Sequence, residues 1–356
     1  MKRCTKCVLP ETAPNITFDD EGVCNYCHSY QNFDYKGEDK LIGLLEAQKK
    51  RNNKYDCMVN ISGGRDSSFT LLKLVKDYGM NVLVVNYKNS FTDPQARANI
   101  KNATEILGVD LVTFETKEGV AEDTFRHSLN AWLKKPSPAM VPMMCVACKN
   151  MWWDTIKIAK KHNIKCIISG GNPLEESSFK KELLNVSRDS GVDSHFTSTI
   201  KGIFSEISKN TDYIYYKQLH IMIWGFLFGN QYSIGPKIYG HDIEKIDLFH
   251  YIPWNEDEIL SRIKNELNWD YPHHLESTWR FDCMIGHLKD ALYMKTLGMT
   301  EKDEFYSRMI REGFLGREEA LKRLEKENRL HWDQVDILLK RAGVDNSSVL
   351  VDLKNL

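Results

Sequence analysis

The 356-residue sequence contains no long apolar run and no excess of charge of either sign. Its longest mostly apolar stretch, residues 219–228, is shorter than the ~20 residues that a membrane-spanning helix needs, so it predicts a buried helix. The formal net charge of −1 gives no general attraction to nucleic acid or to an anionic membrane. The N-terminus shows no apolar signal region, because Lys2 and Arg3 follow Met1 directly. We therefore expect a cytoplasmic protein that does not bind membranes.

Two familiar phosphate-binding motifs are also missing. The glycines after the first apolar strand pattern have neither the Walker spacing nor the Gly-x-Gly-x-x-Gly spacing. Instead, the strand pattern at residues 57–61 leads through Ser62-Gly63-Gly64 into a helical pattern. Glycines let the backbone approach a ligand closely, and the first turn of a helix has N–H groups without partners. This turn therefore predicts an anion-binding site.

Side chains in the same turn add polar groups to the predicted anion site. The hydroxyls of Ser62, Ser67 and Ser68 are candidate donors to phosphate oxygens. Asp66 either caps the helix or helps to hold a magnesium ion, and Arg65 supplies a positive charge. An ordinary glycine turn before a capped helix is the alternative, but the six-residue pattern favours phosphate binding.

Strand and helix patterns alternate through the middle of the chain. Strands are predicted at residues 57–61, 81–86, 109–114 and 166–169, and helices at residues 93–107 and 121–133. This alternation predicts an α/β fold with a doubly wound, mostly parallel sheet and helices on both faces. The remainder, from about Tyr239, has helical patterns. Ligands of such sheets bind beyond the carboxyl ends of the strands.

Polar residues follow other predicted strands at that same edge. Asn86 ends the second strand, and Gly170-Gly171-Asn172 follows the fourth, so we predict that they contact a nucleotide. Glu175 and Glu176 come next, and one of them is a candidate magnesium ligand on the phosphates. Solvated surface acids are the alternative for each.

Nine cysteines in a reducing compartment are poor candidates for disulfides. Four of them form two closely spaced Cys-x-x-Cys pairs near the N-terminus: Cys4, Cys7, Cys24 and Cys27. Each pair can present two thiolates, and two such pairs complete a tetrahedral zinc site. A closed four-thiolate site leaves no position for a substrate, so a structural zinc ribbon is predicted.

A further Cys-x-x-Cys pair, Cys145 and Cys148, lies in a proline-rich segment. The prolines exclude a helix there until about Cys148. Metal binding, redox chemistry and packing all remain open for this pair alone. With Cys283, the pair would supply three thiolates and leave one position open, as in a [4Fe–4S] cluster or a catalytic zinc site. The spacing does not decide between these metals, and Cys57 and Cys166 are predicted core residues.

The loop Ser62-Gly63-Gly64-Arg65-Asp66-Ser67 closely resembles the pyrophosphate-binding (PP) loop of the N-type ATP pyrophosphatases. The pattern Cys-Thr-Lys-Cys-Val-Leu-Pro-Glu-Thr at residues 4–12 is, with this loop, similar to the N-acetyl sugar amidotransferases of bacterial surface-polysaccharide (lipopolysaccharide O-antigen) and nonulosonic-acid biosynthesis. The resemblance extends over essentially the whole chain. It implies four regions: a zinc ribbon (1–35), a linking helix (36–54), a PP-loop domain (55–238) and a mainly helical region (239–356).

This resemblance implies that ATP and Mg²⁺ adenylate the oxygen of an acetamido group on a sugar or sugar nucleotide. Ammonia from a separate glutaminase would then form an acetamidino group. The related tRNA thiolases are the alternative, because a matching two-plus-one cysteine set binds a [4Fe–4S] cluster in them. They commonly carry a later zinc finger, whereas no cysteine follows Cys283 here. Near-neutral charge also gives little help to tRNA binding. An ATP-binding sensor without turnover is a third, non-enzymatic interpretation.

Overall fold

The structure is a computed structural model that describes residues 1–115, 118–186, 192–216, 219–229, 231–344 and 346–356. Five parallel strands form one sheet in the order β3-β2-β1-β4-β5. The strands are β1 (Cys57–Asn60), β2 (Val82–Lys88), β3 (Asp110–Glu115), β4 (Cys166–Ser169) and β5 (Glu244–Asp247). The predicted α/β fold with a parallel sheet is confirmed.

Alternate residues of the central strands enter two different cores, as the two-residue period of a strand requires. On β1, Cys57 and Val59 pack into one core, while Met58 packs into the other. Helices α3 (Arg65–Lys76) and α4 (Pro94–Leu107) cover the first face, and α6 (Met151–Lys161) covers the second. The sheet is therefore wound on both faces, and its central strands are buried.

The remaining helices surround this sheet. They are α1 (Asn25–His28), α2 (Glu38–Lys49), α5 (Val120–Lys134), α7 (Ser178–Leu183), α8 (Val192–Lys209), α9 (Leu219–Trp224), α10 (Ile234–Tyr239), α11 (Glu256–Leu267), α12 (Ile285–Leu297), α13 (Glu301–Arg311), α14 (Arg317–Glu327), α15 (Trp332–Arg341) and α16 (Asn346–Asn355). A π-turn follows α9 at Gly225–Gly229. Helices α11 to α15 confirm the helical patterns predicted after Tyr239. Across the described residues, the structure has no helix that is long and apolar enough to cross a membrane.

Three expectations from the sequence need correction. The segment Pro138–Asn150 forms 3-10 turns, although a helix was expected only from about Cys148. Pro138 stands at the start of this segment, where its missing N–H has no partner to lose, and the fixed φ of proline suits 3-10 turns. The sequence also gives no sign of β5. This strand extends the sheet past residue 239, into the region that was predicted to be helical. In the apolar run at 219–228, Leu219, Ile223 and Trp224 are 43–50% exposed rather than buried.

The N-terminal segment packs against the C-terminal helices. Arg3 forms an ion pair with Asp303 at 2.6 Å, and Arg317 donates to the carbonyl oxygens of Cys4 and Cys7 at 2.9–3.1 Å. The first and last parts of the chain are therefore held together around one end of α13 and α14.

The loop between β1 and α3 presses directly against α4. Gly63 has a φ of +84°, and a Cβ at this position would lie 2.1 Å from the carbonyl oxygen of Ala96. The Gly63 carbonyl oxygen accepts hydrogen bonds from Asn99 and from the Trp269 indole, both at 3.0 Å. A side chain at residue 63 would thus require an unfavourable backbone angle and displace α4.

We predict that Gly63→Ala lowers the free energy of unfolding by about 2 kcal/mol or more, because both the dihedral angle and the contact with Ala96 are strained. Gly43→Ala is the matched control, since a Cβ there, inside α2, meets nothing within 4 Å. The control should stabilise the protein by about 0.5–1 kcal/mol. Urea unfolding of both variants measures the difference. Equal effects would contradict the close packing of the loop.

Candidate active site

A cavity of about 450 Å³ lies at the carboxyl edge of the sheet. It is lined by the serine–glycine loop (residues 62–68), the turn at 169–171, Cys145, and part of the segment 278–289. These elements follow β1 and β4, where the strand order changes direction, which is the usual ligand position in such sheets. The volume lies within the ~300–1,000 Å³ typical of small-molecule sites.

The serine–glycine loop is held together by its own hydroxyl groups. The Oγ atoms of Ser62 and Ser67 lie 3.2 Å apart, and Ser67 Oγ also accepts from the Ser62 N–H and donates to the Gly64 carbonyl, both at 3.2 Å. Helix α3 begins immediately after Gly64, and no side chain caps its first turn. Both hydroxyls line the cavity beside this uncapped turn. The arrangement offers several donors to an anion.

Four residues that were predicted to contact ATP do not line this cavity: Gly63, which packs against α4, and three others. Ser68 is fully buried, and its Oγ has no hydrogen-bond partner, because the helix turns residue 68 away from the side that carries Ser67. Asn86 donates from Nδ2 to the Ile61 carbonyl at 2.8 Å. The Asn172 side chain accepts from the Leu174 N–H at 3.0 Å. The two asparagines therefore shape the turns around the site, and the buried hydroxyl of Ser68 does not support the phosphate contact expected of it.

The side chain of Arg65 is buried in a cluster of carboxylates. Its guanidinium contacts Glu256 at 2.8 Å, Asp66 at 3.1 Å and Glu175 at 3.4 Å, and its Cζ lies 4.6 Å from the Trp254 ring centre. These partners occupy the N–H groups of the guanidinium, which we had expected to bind pyrophosphate. The Arg65 side chain instead joins the loop to two distant parts of the chain, Glu175 after β4 and the segment 254–256.

Asp66 lines the cavity next to this cluster. Burial raises the pKa of its carboxyl group to about 6, while Arg65 acts in the opposite direction. Its Oδ1 accepts from Arg65 at 3.1 Å and from the Trp254 indole at 3.0 Å. Its position at the cavity agrees with the predicted magnesium role, which stays a prediction.

Glu175 and Glu176 lie in different surroundings. Glu175 lines the cavity, with Oε1 at 3.4 Å from Arg65 and Oε2 at 3.1 Å from Arg280. Glu176 lies outside the cavity walls and is 3.9 Å from Lys181 in a partly exposed ion pair. A direct magnesium role is therefore not favoured for Glu176, and Glu175 could take that role only if an arginine moved away.

Several charged residues in the cavity walls were not predicted from the sequence. Asp282 lines the cavity, accepts a hydrogen bond from Ser62, and has its pKa raised by burial. Arg280 and Lys289 also line it, and both form ion pairs with the buried Glu301, at 2.6 and 2.8 Å. Their only sequence signal was their position close to Cys283.

A second acidic residue that the sequence did not indicate ends β5. Asp247 accepts a hydrogen bond from the Ser169 hydroxyl. A Cβ on Gly171 would lie 2.4 Å from its Oδ1. Gly171 is thus required for close packing against Asp247, which fixes the turn after β4.

The cysteines Cys145, Cys148 and Cys283 are brought near one another, as predicted. Cys145 and Cys283 line the same cavity as the serine–glycine loop. Burial, followed by the nearby Cys148 and Cys145, raises the pKa of the Cys283 thiol. Among the described residues, these three sulfur atoms are not gathered within 4.8 Å of one another, as the four N-terminal ones are.

The four N-terminal cysteines do converge on one point. All four sulfur atoms lie within 4.8 Å of one another, with 3.9 Å between Cys4 and Cys27 and 3.7 Å between Cys7 and Cys24. Four thiolates at about 2.3 Å from one tetrahedral ion lie about 3.8 Å apart, so the donor set fits a single metal ion.

The charge around these sulfurs also favours metal binding. Hydrogen bonds with Cys24, together with the charge of Arg311, lower the pKa of Cys27 to about 3 and that of Cys7 to about 6, while hydrogen bonds and burial raise the pKa values of Cys4 and Cys24. Arg311 donates to the sulfur atoms of Cys7 and Cys27, each at 3.4 Å. Lowered thiol pKa values favour the thiolate form that binds metals.

Comparisons with known proteins do not assign the chain to a family. No protein-family model matches it. An uncharacterized protein from Methanocaldococcus jannaschii is 30% identical over 115 residues, which is 31% of this chain; the chain spans about two fifths (41%) of that relative.

Two solved structures align loosely with the chain. NMN synthetase from Francisella tularensis aligns with a TM-score of 0.38 and 11% identity, covering 83% of this chain and 93% of the synthetase. U34-tRNA thiolase NcsA from Methanococcus maripaludis, solved with its [4Fe–4S] cluster, aligns with a TM-score of 0.30 and 14% identity, covering 90% of this chain and 89% of the thiolase. Because these scores are low, the fold class rests on the strand order and register.

We predict that Cys24→Ser abolishes stoichiometric metal binding at the N-terminal site, because three thiolates cannot complete the four-thiolate set. The variant should also lose several kcal/mol of stability and fold in lower yield. Elemental analysis and thermal unfolding measure both effects. The control, Cys57→Ala, removes a buried core thiol and should keep the full metal content. A stable, metal-free Cys24→Ser protein would contradict a structural metal site.

Proposed function

We propose that this protein is an ATP-dependent, AMP-forming ligase that converts the acetamido group of a sugar or sugar nucleotide into an acetamidino group. The observation that carries the proposal is one shared cavity: the serine–glycine loop, the glycine turn after β4 and two of the later cysteines all line it. Phosphate donors and a site for an acceptor are thus adjacent.

In this proposal the loop binds the β- and γ-phosphates of ATP. Ser62 and Ser67 donate hydrogen bonds, and the uncapped N-terminus of α3 contributes its N–H groups and the positive end of the helix dipole. Asp66 would hold a magnesium ion, which would balance the phosphate charge. Gly170 permits close approach of the second turn, since a Cβ there would lie 2.9 Å from the Asp66 backbone.

The acceptor chemistry explains why ATP is needed. An amide oxygen is a poor leaving group, so the acetamido oxygen first attacks the α-phosphorus. A C–O–P linkage forms, and pyrophosphate departs with the electrons of the broken P–O bond. Ammonia then adds to the imidate carbon and loses a proton, and the C–O bond breaks to release AMP. The protein contributes positioning and stabilisation of the departing pyrophosphate.

The choice of a sugar acceptor is supported by the sequence resemblance at residues 4–12 and 62–67. It also agrees with the near-neutral charge, which gives little attraction to nucleic acid. In this proposal, ammonia comes from a separate glutaminase, as the sequence resemblance implies. The proposed reaction belongs in the cytoplasm, where ATP is available.

Two metal centres accompany this proposal. Zinc is proposed at Cys4, Cys7, Cys24 and Cys27, where the sulfur spacing suits one tetrahedral ion. A [4Fe–4S] cluster is proposed at Cys145, Cys148 and Cys283, where three thiolates would leave one iron open to an exogenous ligand. The open iron would bind a sulfide or the substrate, and no step above depends on it.

A tRNA thiolase is the second candidate, and the position of the later cysteines favours it. Cys145 and Cys283 line the cavity beside the loop, where a metal-bound sulfur could replace ammonia as the nucleophile. The same adenylation of a carbonyl oxygen would precede it. An anaerobically purified protein that exchanges oxygen for sulfur in tRNA, and leaves every acetamido sugar unchanged, would establish this alternative.

We predict a large loss of AMP formation for one of two adjacent serine substitutions and almost none for the other. Ser67→Ala should lower AMP formation by about 100-fold, because a donor aimed at the pyrophosphate is lost. Ser68→Ala should keep turnover within about twofold, because its hydroxyl is buried away from the cavity and has no partner to lose. Measuring AMP release under saturating ATP separates the two. Equal losses would contradict the proposed orientation of α3.

The acceptor is tested by mass spectrometry. The protein is incubated with ATP, magnesium, ammonium and a mixture of acetamido sugars and their nucleotides. We expect one sugar to exchange its carbonyl oxygen for NH, with one AMP released per product. AMP release without any modified sugar would contradict the proposed acceptor.

A further inference from the structure

We propose that Asp282 is a magnesium ligand at the pyrophosphate position of the serine–glycine loop. This inference rests on the proposed function, because it assumes that ATP binds at that loop. It assigns a metal-binding role to a residue that sequence analysis did not select.

The backbone places Asp282 firmly beside the loop. Residues 281–284 run antiparallel to residues 91–93: the Asp93 N–H donates to the Asp282 carbonyl at 3.0 Å, and the Met284 N–H donates to the Phe91 carbonyl at 2.9 Å. Asp93 in turn caps α4 through a side-chain bond to the Gln95 N–H at 2.7 Å. The Asp282 side chain therefore extends from a backbone segment that hydrogen bonds hold in place.

Its carboxylate reaches the place where phosphate is expected. Asp282 accepts a hydrogen bond from Ser62. A Cβ built on Gly64 would lie 3.5 Å from the Asp282 Cγ and 3.7 Å from its Oδ1. Gly64 precedes the first turn of α3, whose N–H groups form the anion site. A carboxylate at this point repels a phosphate group unless a cation lies between them.

The other charges in the walls do not supply that cation. The charged side chains that line the cavity are three cations and three carboxylates, so their formal charges cancel: Arg65, Arg280 and Lys289, and Asp66, Glu175 and Asp282. Each of these cations is already paired with carboxylates. Arg65 binds three, Arg280 binds Glu175 and Glu301, and Lys289 binds Glu301.

A divalent cation removes the repulsion between the Asp282 carboxylate and a bound phosphate group. Magnesium prefers oxygen ligands and commonly binds through one or two carboxylates together with substrate phosphates. Asp66 and Asp282 both line the cavity, but the Oδ1 of Asp66 already accepts two protein hydrogen bonds. Asp282 thus provides a second carboxylate beside the loop, and a magnesium ion between this carboxylate and the phosphates removes their repulsion.

Isothermal titration with inorganic pyrophosphate tests this proposal without turnover. The wild-type protein should bind pyrophosphate at least about tenfold more tightly with MgCl₂ than with EDTA, because the metal removes a like-charge contact. Asp282→Asn removes the negative charge. It should bind metal-free pyrophosphate more tightly than wild type and show less than about threefold stimulation by magnesium.

Two further variants keep the test decisive. Asp282→Glu retains the charge and should retain magnesium stimulation, while Glu276→Gln, an exposed acid on the preceding loop, should behave as wild type. Thermal melting confirms that each variant is folded. The inference is wrong if Asp282→Asn keeps the full magnesium stimulation. It is also wrong if Asp282→Glu fails to fold while Asp282→Asn behaves as wild type. If wild-type protein binds no pyrophosphate in either condition, the proposed function fails, and the inference fails with it.

Discussion

The buried guanidinium of Arg65 is the interaction on which the site geometry depends. It begins α3, and it ion-pairs with the neighbouring Asp66 and with Glu175 and Glu256 from two distant parts of the chain. Burial alone would lower the pKa of Arg65, but these carboxylates raise it above its ordinary value, so the group stays charged. Removing one partner of such a buried cluster leaves an uncompensated charge, which typically costs about 3–5 kcal/mol. The loop, the turn after β4 and α11 are thereby held in one arrangement.

The same cluster links stability to the proposed chemistry. Asp66 must ionise in a buried position to hold magnesium, and burial raises its pKa to about 6. An aspartate whose pKa is raised in the folded state destabilises the fold as pH rises from about 4 to 6, because the ionised form is then better solvated in the unfolded chain. A site that concentrates carboxylates and arginines around a phosphate loop therefore sacrifices some stability for ligand binding.

Local sequence patterns predicted the parts of the fold that depend on local physics. Short apolar runs located β1 to β4, and helical periodicity located α12 and α14 to the residue. The two Cys-x-x-Cys pairs predicted the N-terminal cysteine cluster because four thiolates have few other uses in a reducing compartment. In contrast, β5 reads Glu-Lys-Ile-Asp; it is an edge strand with mostly exposed side chains, so no apolar run marks it. The pairing of Arg65 with Glu256, and of Asp282 with Ser62, depends on long-range packing that no local pattern carries.

The central claim is that this cavity transfers AMP onto a carbonyl oxygen of the acceptor. The most direct measurement uses an acetamido sugar labelled with oxygen-18 in its carbonyl group, together with ATP, magnesium and ammonium. Mass spectrometry of the nucleotide product then follows the label. We predict labelled AMP and unlabelled pyrophosphate, because the acetamido oxygen leaves with the AMP phosphate. Formation of ADP and labelled inorganic phosphate would contradict the account, since it would place the attack on the terminal phosphate.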